Sequence, residues 1–342
     1  MTASAQGTRT ARWTRTEVAQ LLLRGRAIFA LVLLVIVFTF LLGGDRFLNP
    51  TNLEILAKQT AINAILAIGM TFVVLTGGID LSVGSVVGLT AMIAGLLINE
   101  GLTVGPLSVV MYPHTWMVLV ISLAAGVLVG AINGLIITRF NVAPFIATLG
   151  MLYVTLGLAQ VLSDVRPIYF EATQPGFQAF FMNKSIVGIP NIVWVMLGAA
   201  AIAWVLLNKT TFGRYTFALG SNEEATRISG VNVDRWKITV YAVEGLFVGL
   251  AGIIIASRMN SAQPGLGVGY ELDAIAAAVI GGTSLAGGEG SIVGTVIGAF
   301  LISTLRIGLS VAGVPDQWKS VITGLVVIGA VWLDILRRRA QA

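Results

Sequence analysis

The sequence predicts an all-α fold: a polytopic transmembrane helix bundle of about ten spans, both termini inside, with a parallel internal repeat. Three observations carry this. Of 342 residues, 56% are hydrophobic and only 11% charged, against about 25% charged in ordinary soluble domains. Ten apolar runs of helical length follow one another, bounded by charged or turn residues. Lysine and arginine fall into alternate connecting segments, as the positive-inside rule requires.

The runs cover residues 27–43, 54–76, 82–99, 116–138, 143–163, 191–207, 237–257, 272–281, 290–310 and 318–336. A spanning helix needs about 20 residues, so the eighth run is short. It begins beside Glu271 and Asp273 and is expected to extend upstream or to be a broken helix. Residues 1–26 carry Arg9, Arg12, Arg15, Arg24 and Arg26 and read as a cytoplasmic tail. A cleaved signal peptide fits less well, because the first apolar run is long and lacks a clear small-residue cleavage site. With the N-terminus inside, fourteen of the 21 Lys and Arg residues lie inside, including five at 209–237 and Arg337, Arg338 and Arg339. The net charge of +5 is therefore a record of topology, and nucleic acid is not the expected partner. Residues 339–342 form a cytoplasmic end.

An internal repeat is visible. Gly77-Gly78-Ile79-Asp80-Leu81-Ser82-Val83-Gly84-Ser85-Val86-Val87-Gly88 and Gly281-Gly282-Thr283-Ser284-Leu285-Ala286-Gly287-Gly288-Glu289-Gly290-Ser291-Ile292-Val293-Gly294 share Gly-Gly-x-x-Leu and then Gly-Ser-x-Val-Gly. Each copy follows an apolar run and opens another, at the same phase of the topology, so the copies are parallel. Small residues four apart, at Gly84 and Gly88, Gly126 and Gly130, Gly245 and Gly249, and Gly290, Gly294 and Gly298, line single helix faces and predict close helix packing. The segment 208–236 is the longest inside connection. Within it Ser221-Asn222-Glu223-Glu224 reads as a capping box, Ser221 facing the N–H of Glu224. Arg227 suits the C-terminal end of the dipole and Gly230 the C′ position. A two-turn helix over roughly 222–229 follows, about 12 Å long, with Ala225 and Ile228 as its apolar contact.

These residues carry a family resemblance. The Gly77–Ser85 run, Asn133-Gly134 with Pro144-Phe145-Ile146-Ala147-Thr148-Leu149-Gly150, Ala218 through Gly230, and Gly281-Gly282-Thr283-Ser284-Leu285 with Gly288-Glu289-Gly290-Ser291 resemble the ribose-type sugar permeases of ATP-binding-cassette (ABC) importers. These belong with branched-chain amino-acid and galactoside permeases in one superfamily. The resemblance covers about 27–338 and implies a permease domain with a coupling loop at 208–236. It implies import of a monosaccharide by alternating access across the cytoplasmic (inner) membrane. The implied partners are a second permease copy or related permease, two cytoplasmic ATP-binding subunits and an extracytoplasmic sugar-binding protein, beside membrane lipid. Ser221, Asn222, Glu223, Glu224, Ala225, Thr226, Arg227, Ile228, Ser229 and Gly230 match the family's coupling helix, which docks on the ATPase. Glu244 departs from the small polar residue that such permeases often carry at its place.

The residues themselves limit the chemistry. There is no cysteine and one histidine, His114, so no metal cluster or thiol nucleophile is expected. No G-x-x-x-x-G-K-[ST] run occurs; no cofactor is expected in this chain, and ATP with Mg belongs on the partner ATPase. Polar residues within spans are candidates for a translocation pathway or gate: Asn63, Asp80, Ser82, Asn133, Glu244, Thr283 and Ser284. Asp80 also reads as a cap for the third helix. Asn63, Asn133 and Gln160 read first as interhelical hydrogen bonders, and Glu244 as locally paired near the cytoplasmic interface. On the outer side, Arg46, Arg166, Arg258 and Lys319, with Lys184 and Arg306, are candidates for docking the binding protein, or else for headgroup contact. A permease for branched-chain amino acids or nucleosides is the alternative. An ion-coupled secondary transporter fits less well, because that class favours inverted repeats and buried carboxylates.

Overall fold

The computed structural model of the chain describes residues 26–104, 109–170, 175–184 and 188–341. The tail arginines Arg9, Arg12, Arg15 and Arg24 lie outside the described residues, as do the side chains of Arg337, Arg338 and Arg339. In chain order the helices are α1 (Arg26–Leu42), α2 (Gly44–Phe47), α3 (Pro50–Leu75) and α4 (Val83–Asn99). Strands β1 (Leu102–Val104) and β2 (Val109–Met111) follow, then α5 (Thr115–Arg139) and α6 (Pro144–Leu162). Next come β3 (Ile168–Tyr169), α7 (Pro175–Met182), α8 (Asn191–Lys209), α9 (Thr211–Ser221), α10 (Glu223–Ile228) and α11 (Val233–Met259). The chain closes with β4 (Ser261–Ala262), α12 (Tyr270–Ile280), α13 (Ile292–Val311) and α14 (Asp316–Gln341).

Each of the ten apolar runs is a helix. Six of them, α3, α5, α6, α8, α11 and α13, are long and apolar enough to cross a membrane, while α1 and α4 are shorter apolar helices. Helix α12 has 11 residues, roughly 16 Å at 1.5 Å per residue, about half of a ~30 Å hydrocarbon layer. It extends upstream by only two residues: turns occupy 264–269, and Gly269 at φ 92 caps the helix start. The expectation of an all-α chain needs a small correction. Antiparallel β1–β2 and β3–β4 pairs occupy two connections. Three helices lie outside the expected elements, the short α2, α7 and α9, the last inside the segment read as a loop.

Helix starts follow ordinary capping chemistry. Asn49 caps α3 by accepting from Asn52 N–H at 2.8 Å, with Pro50 in the first turn. Helix α3 forms the centre of the bundle. Its residues from Thr60 to Leu75 are all buried, against α8, α11, α12 and α13. Helices α1, α6 and α8 surround it and turn large apolar side chains outward, among them Phe40, Tyr153 and Ile202. Exposed apolar faces around a buried core are what a lipid solvent permits.

The small-residue faces pack on one another. A methyl group at Gly126 would run into the Gly245 carbonyl, and one at Gly130 into the Tyr241 carbonyl. Helices α5 and α11 therefore touch backbone to backbone. Gly294 and Gly298 of α13 meet the carbonyls of Gly281 and Ala277 in the same way. Close packing accounts for these glycines without any pathway role.

Candidate functional site

The repeat survives as geometry, with its register moved by one residue. After α3, Gly77 N–H donates to Val74 O and Gly78 N–H to Val73 O; after α12, Gly282 N–H donates to Val279 O and Thr283 N–H to Ala278 O. Both are Schellman endings, with Gly77 (φ 75) and Gly282 (φ 100) in the left-handed position. The structure thus sets Gly77 against Gly282, where the sequence pairs Gly77 with Gly281. The two turns also bond directly, because Gly288 N–H donates to Leu75 O at 2.9 Å.

The first turn leads into a buried polar cluster. Asp80 Oδ1 accepts from Ser82 N–H and Ser82 Oγ–H, both at 2.6 Å, and Oδ2 accepts from Asn133 Nδ2 at 3.0 Å. Asn133 also donates to Ser82 Oγ at 3.0 Å. Asp80 therefore closes an Asx turn and ties it to α5. The N-cap position of α4 is Ser82, which makes no side-chain cap bond. Helix α6 joins through Thr148, whose Oγ accepts from Leu81 N–H at 3.1 Å. Asp80, Ser82, Asn133 and Glu244 line one cavity of about 10 Å³, with apolar walls from Val83, Val86, Val129 and Val248.

Glu244 corrects its sequence reading. It is 1% exposed and has no cationic partner among the described residues. Instead its carboxyl stands within hydrogen-bonding reach of the Asp80 carboxyl. Thr283 and Ser284 are buried but are not among the residues lining this cavity. Asn63 donates to Ser303 Oγ at 2.9 Å and accepts from Gln59 at 3.2 Å, an interhelical bond between α3 and α13. Gln160 is exposed on α6.

The segment after α8 is built differently from the capping box. Ser221 is the last residue of α9, and its hydroxyl donates to Phe217 O at 2.9 Å. Asn222 is the cap: its side chain accepts from Ala225 N–H at 2.9 Å. Helix α9 supplies the competing bond, so the cap falls one residue later. Glu224 is exposed, and Glu223 is the engaged acid. It accepts from Lys237 at 2.6 Å and from Arg227 at 3.3 Å, and Arg227 also meets Asp234 at 3.4 Å. Partial burial pushes the Glu223 carboxyl up, but Lys237 and Arg227 together outweigh it and hold it below the usual value of 4.5. Gly230 (φ 87) ends α10 as expected, with Gly230 N–H on Arg227 O and Val231 N–H on Thr226 O. Thr226 is buried and Ser229 exposed. Ala225 and Ile228, the latter 81% exposed, make no apolar seat in this chain.

A third group lies at the other end of α3, roughly 24 Å along the helix from Leu75 at 1.5 Å per residue. Gln59, Arg258, Tyr270, Arg306, Asp316 and Lys319 line a polar cavity of about 430 Å³. Arg258 donates to Gln59 Oε1 at 2.7 Å, and Lys319 to Asp316 and Ser310, each at 2.7 Å. Arg306 pairs at 2.8 Å with Asp273, which is 1% exposed. The structure thus gathers Arg258 and Lys319. Arg46, in α2, and Arg166, in the turn after α6, are exposed and do not line this cavity. The sequence marks Asp273 only as the edge of a short span, because nothing local points to a partner 33 residues away.

Comparison with known proteins places the chain. Residues 52–331 match the family model described as branched-chain amino acid transport system, permease component. The chain is 46% identical over 305 residues to the ribose import permease protein of Bacillus subtilis (strain 168), covering 89% of this chain and 90% of that protein. It is 42% identical over 315 residues to the ribose import permease protein of Escherichia coli (strain K12), covering 92% and 94%. It is 38% identical over 313 residues to the galactose/methyl galactoside import permease protein of the same strain, covering 90% and 93%. No solved structure matches. With that family model spanning most of its length, and with membrane helices built around paired Gly-Gly turns, this chain belongs to the branched-chain amino acid transport system permease component family.

Proposed function

We propose that this chain is the membrane permease subunit of an ABC importer for a monosaccharide: a ribose-like pentose, a hexose or a related polyol. The observation that carries this is 38–46% identity to ribose and galactoside import permeases over about nine-tenths of the chain. Those relatives also favour a sugar over the branched-chain amino acid in the family description. The permease domain runs over 27–338, between a cytoplasmic tail (1–26) and a short cytoplasmic end (339–342). Its ten apolar segments cross the cytoplasmic membrane, the short α12 together with the turns before it, with both termini inside and the repeat parallel. It pairs with a second copy or a related permease. Two cytoplasmic subunits carry ATP and Mg, and an extracytoplasmic binding protein delivers the sugar.

The mechanism is alternating access. Helix α10 and its loop, 208–236, dock on the ATPase, where exposed Ala225 and Ile228 supply an apolar contact within a charged rim. Motion of α10 passes to α11 through Glu223–Lys237 and to both Gly-Gly turns through Gly220 and Ser221. Asn63, Asp80, Ser82, Asn133, Glu244, Thr283 and Ser284 belong to the pathway or its gate. The cavity around Arg258 and Lys319 faces the binding protein, with Arg46 and Arg166 as outlying contacts. Arg227→Glu reverses a charge on the docking helix. It should abolish coupling between partner ATPase activity and sugar uptake while membrane insertion stays normal. Wild-type uptake by that variant would overturn the reading.

A further inference from the structure

The Asp80–Glu244 pair has a chemical requirement that the permease reading does not supply. Both side chains are buried, at 3% and 1% exposure. Asp80 accepts three hydrogen bonds, from Ser82 twice and Asn133 once. No N–H or O–H donor among the described residues reaches either oxygen of Glu244. Its remaining neighbour in hydrogen-bonding reach is the Asp80 carboxyl. Two carboxylates cannot hydrogen-bond to each other; a carboxyl–carboxylate bond needs one proton. The groups around the pair offer no counter-charge. The α3–α4 turn contributes only Asp80, α11 contributes Glu244 and Tyr241, and α5 and α6 contribute Asn133 and Thr148, which do not titrate. Bare like charges in such a place are costly, and buried charge of this kind is normally neutralised.

We propose that Asp80 and Glu244 form a proton-binding site, holding one exchangeable proton between them and so latching α11 to the first repeat turn. The proton donates from the Glu244 carboxyl to Asp80, which keeps its three other donors. Loss of the proton leaves two adjacent carboxylates that repel. The separation they force falls between α11 and the turn that also bears the bond from Gly288. A metal ion fits the site less well. Asn133 turns its N–H₂ toward the pair, and a cavity of about 10 Å³ holds roughly one water. Asn133, which lines the same cavity, has its Oδ1 buried without a partner among the described residues, and so is the nearby Tyr241 hydroxyl.

The consequence for transport rests on the permease proposal; the proton itself does not, so the test has two arms. In the first, infrared spectra of the full-length chain in nanodiscs are recorded from acid to alkaline buffer. A carboxylic-acid C=O band should be present at neutral pH and vanish on alkalinisation. Glu244→Gln should remove that band, and Asp80→Asn, which takes away the acceptor carboxylate, should shift its frequency. Absence of the band in the wild type, its survival in Glu244→Gln, an unshifted band in Asp80→Asn, or its displacement by added sodium or potassium would overturn the proton site. In the second arm, uptake is measured with the assembled importer, each variant normalised to its own neutral-pH rate. Wild-type uptake should fall several-fold at alkaline pH, and Glu244→Gln should be flat. Equal pH profiles would overturn the latch while leaving the proton site in place. A chain that moves no sugar with its partners at any pH would count against the permease proposal instead.

Discussion

Replacing Gly220 by alanine sets one methyl group against two peptide units at once. Gly220 lies one residue before the end of α9. A β-carbon there would run into the Leu75 carbonyl and the Gly288 amide, the two groups that bond each other at 2.9 Å between the repeat turns. A carbon normally keeps about 3.3 Å from a carbonyl oxygen, so one turn or the end of α9 must retreat by an ångström or so. Overpacking of this kind costs about 1–3 kcal/mol, and stretching the Leu75–Gly288 bond adds about 0.5–1.5 kcal/mol. Alanine returns up to ~1 kcal/mol of helix propensity. The net loss is about 0.5–3.5 kcal/mol, and it falls on the contact between α9 and both turns. Gly198→Ala, in α8 with open space around it, is the control and should be neutral or stabilising. Thermal unfolding in detergent should show Gly220→Ala below wild type and Gly198→Ala not below it. Reconstituted with ATPase subunits and binding protein, Gly220→Ala should hydrolyse ATP with reduced uptake per ATP. A Gly220→Ala protein with wild-type stability and wild-type coupling would refute the argument, because the turns would then not be clamped there.

Three further outcomes follow from the same geometry. Asn222→Ala removes the α10 cap at a cost of about 1 kcal/mol, and hydrogen exchange at the Ala225 amide should accelerate while that of α11 does not. Arg306→Ala leaves the buried Asp273 carboxyl without its partly exposed partner and should destabilise by about 1–3 kcal/mol; the double variant with Asp273→Ala should recover part of that loss in a thermal double-mutant cycle. The Glu223 carboxyl lies below its unfolded value because of Lys237 and Arg227. The tie between α10 and α11 is therefore fully present above the unfolded carboxylate pKa and is lost as pH falls through the lower folded value. Protection of the α10 amides, corrected for the intrinsic pH dependence of exchange, should fall over that acid window, and Glu223→Gln should show the low protection at all pH values.

The helices were legible because lipid demands long apolar runs, and each run in the sequence is a helix within a few residues of its expected ends. What escaped is instructive. Helix α9 mixes Arg214 and Tyr215 with buried Phe212 and Leu219, so it carries no spanning signal, and it took Ser221 away from the expected cap. Helix α7 is eight residues after Pro175, too short for periodicity to declare it. Among site residues, Asp80 and Asn133 stood out individually, but their meeting with each other and with Glu244 joins positions 53 or more apart. Arg258 and Lys319 converge on one cavity while Arg46 and Arg166 do not. Charge counting assigns a residue to a side and says nothing about its neighbours there.

The bond between Gly288 N–H and Leu75 O also bears on biogenesis. Leu75 closes α3, the buried centre of the bundle, yet its carbonyl waits for a donor more than two hundred residues downstream. At about 5–20 residues per second, the ribosome needs roughly 10–40 s to deliver that donor. For this interval the first half of the chain sits in the membrane with its central turn unfinished and Gly220 not yet clamped. Quality-control proteases therefore have their longest opportunity before residue 288 emerges, and truncation upstream of that point should leave a protein that inserts but is short-lived.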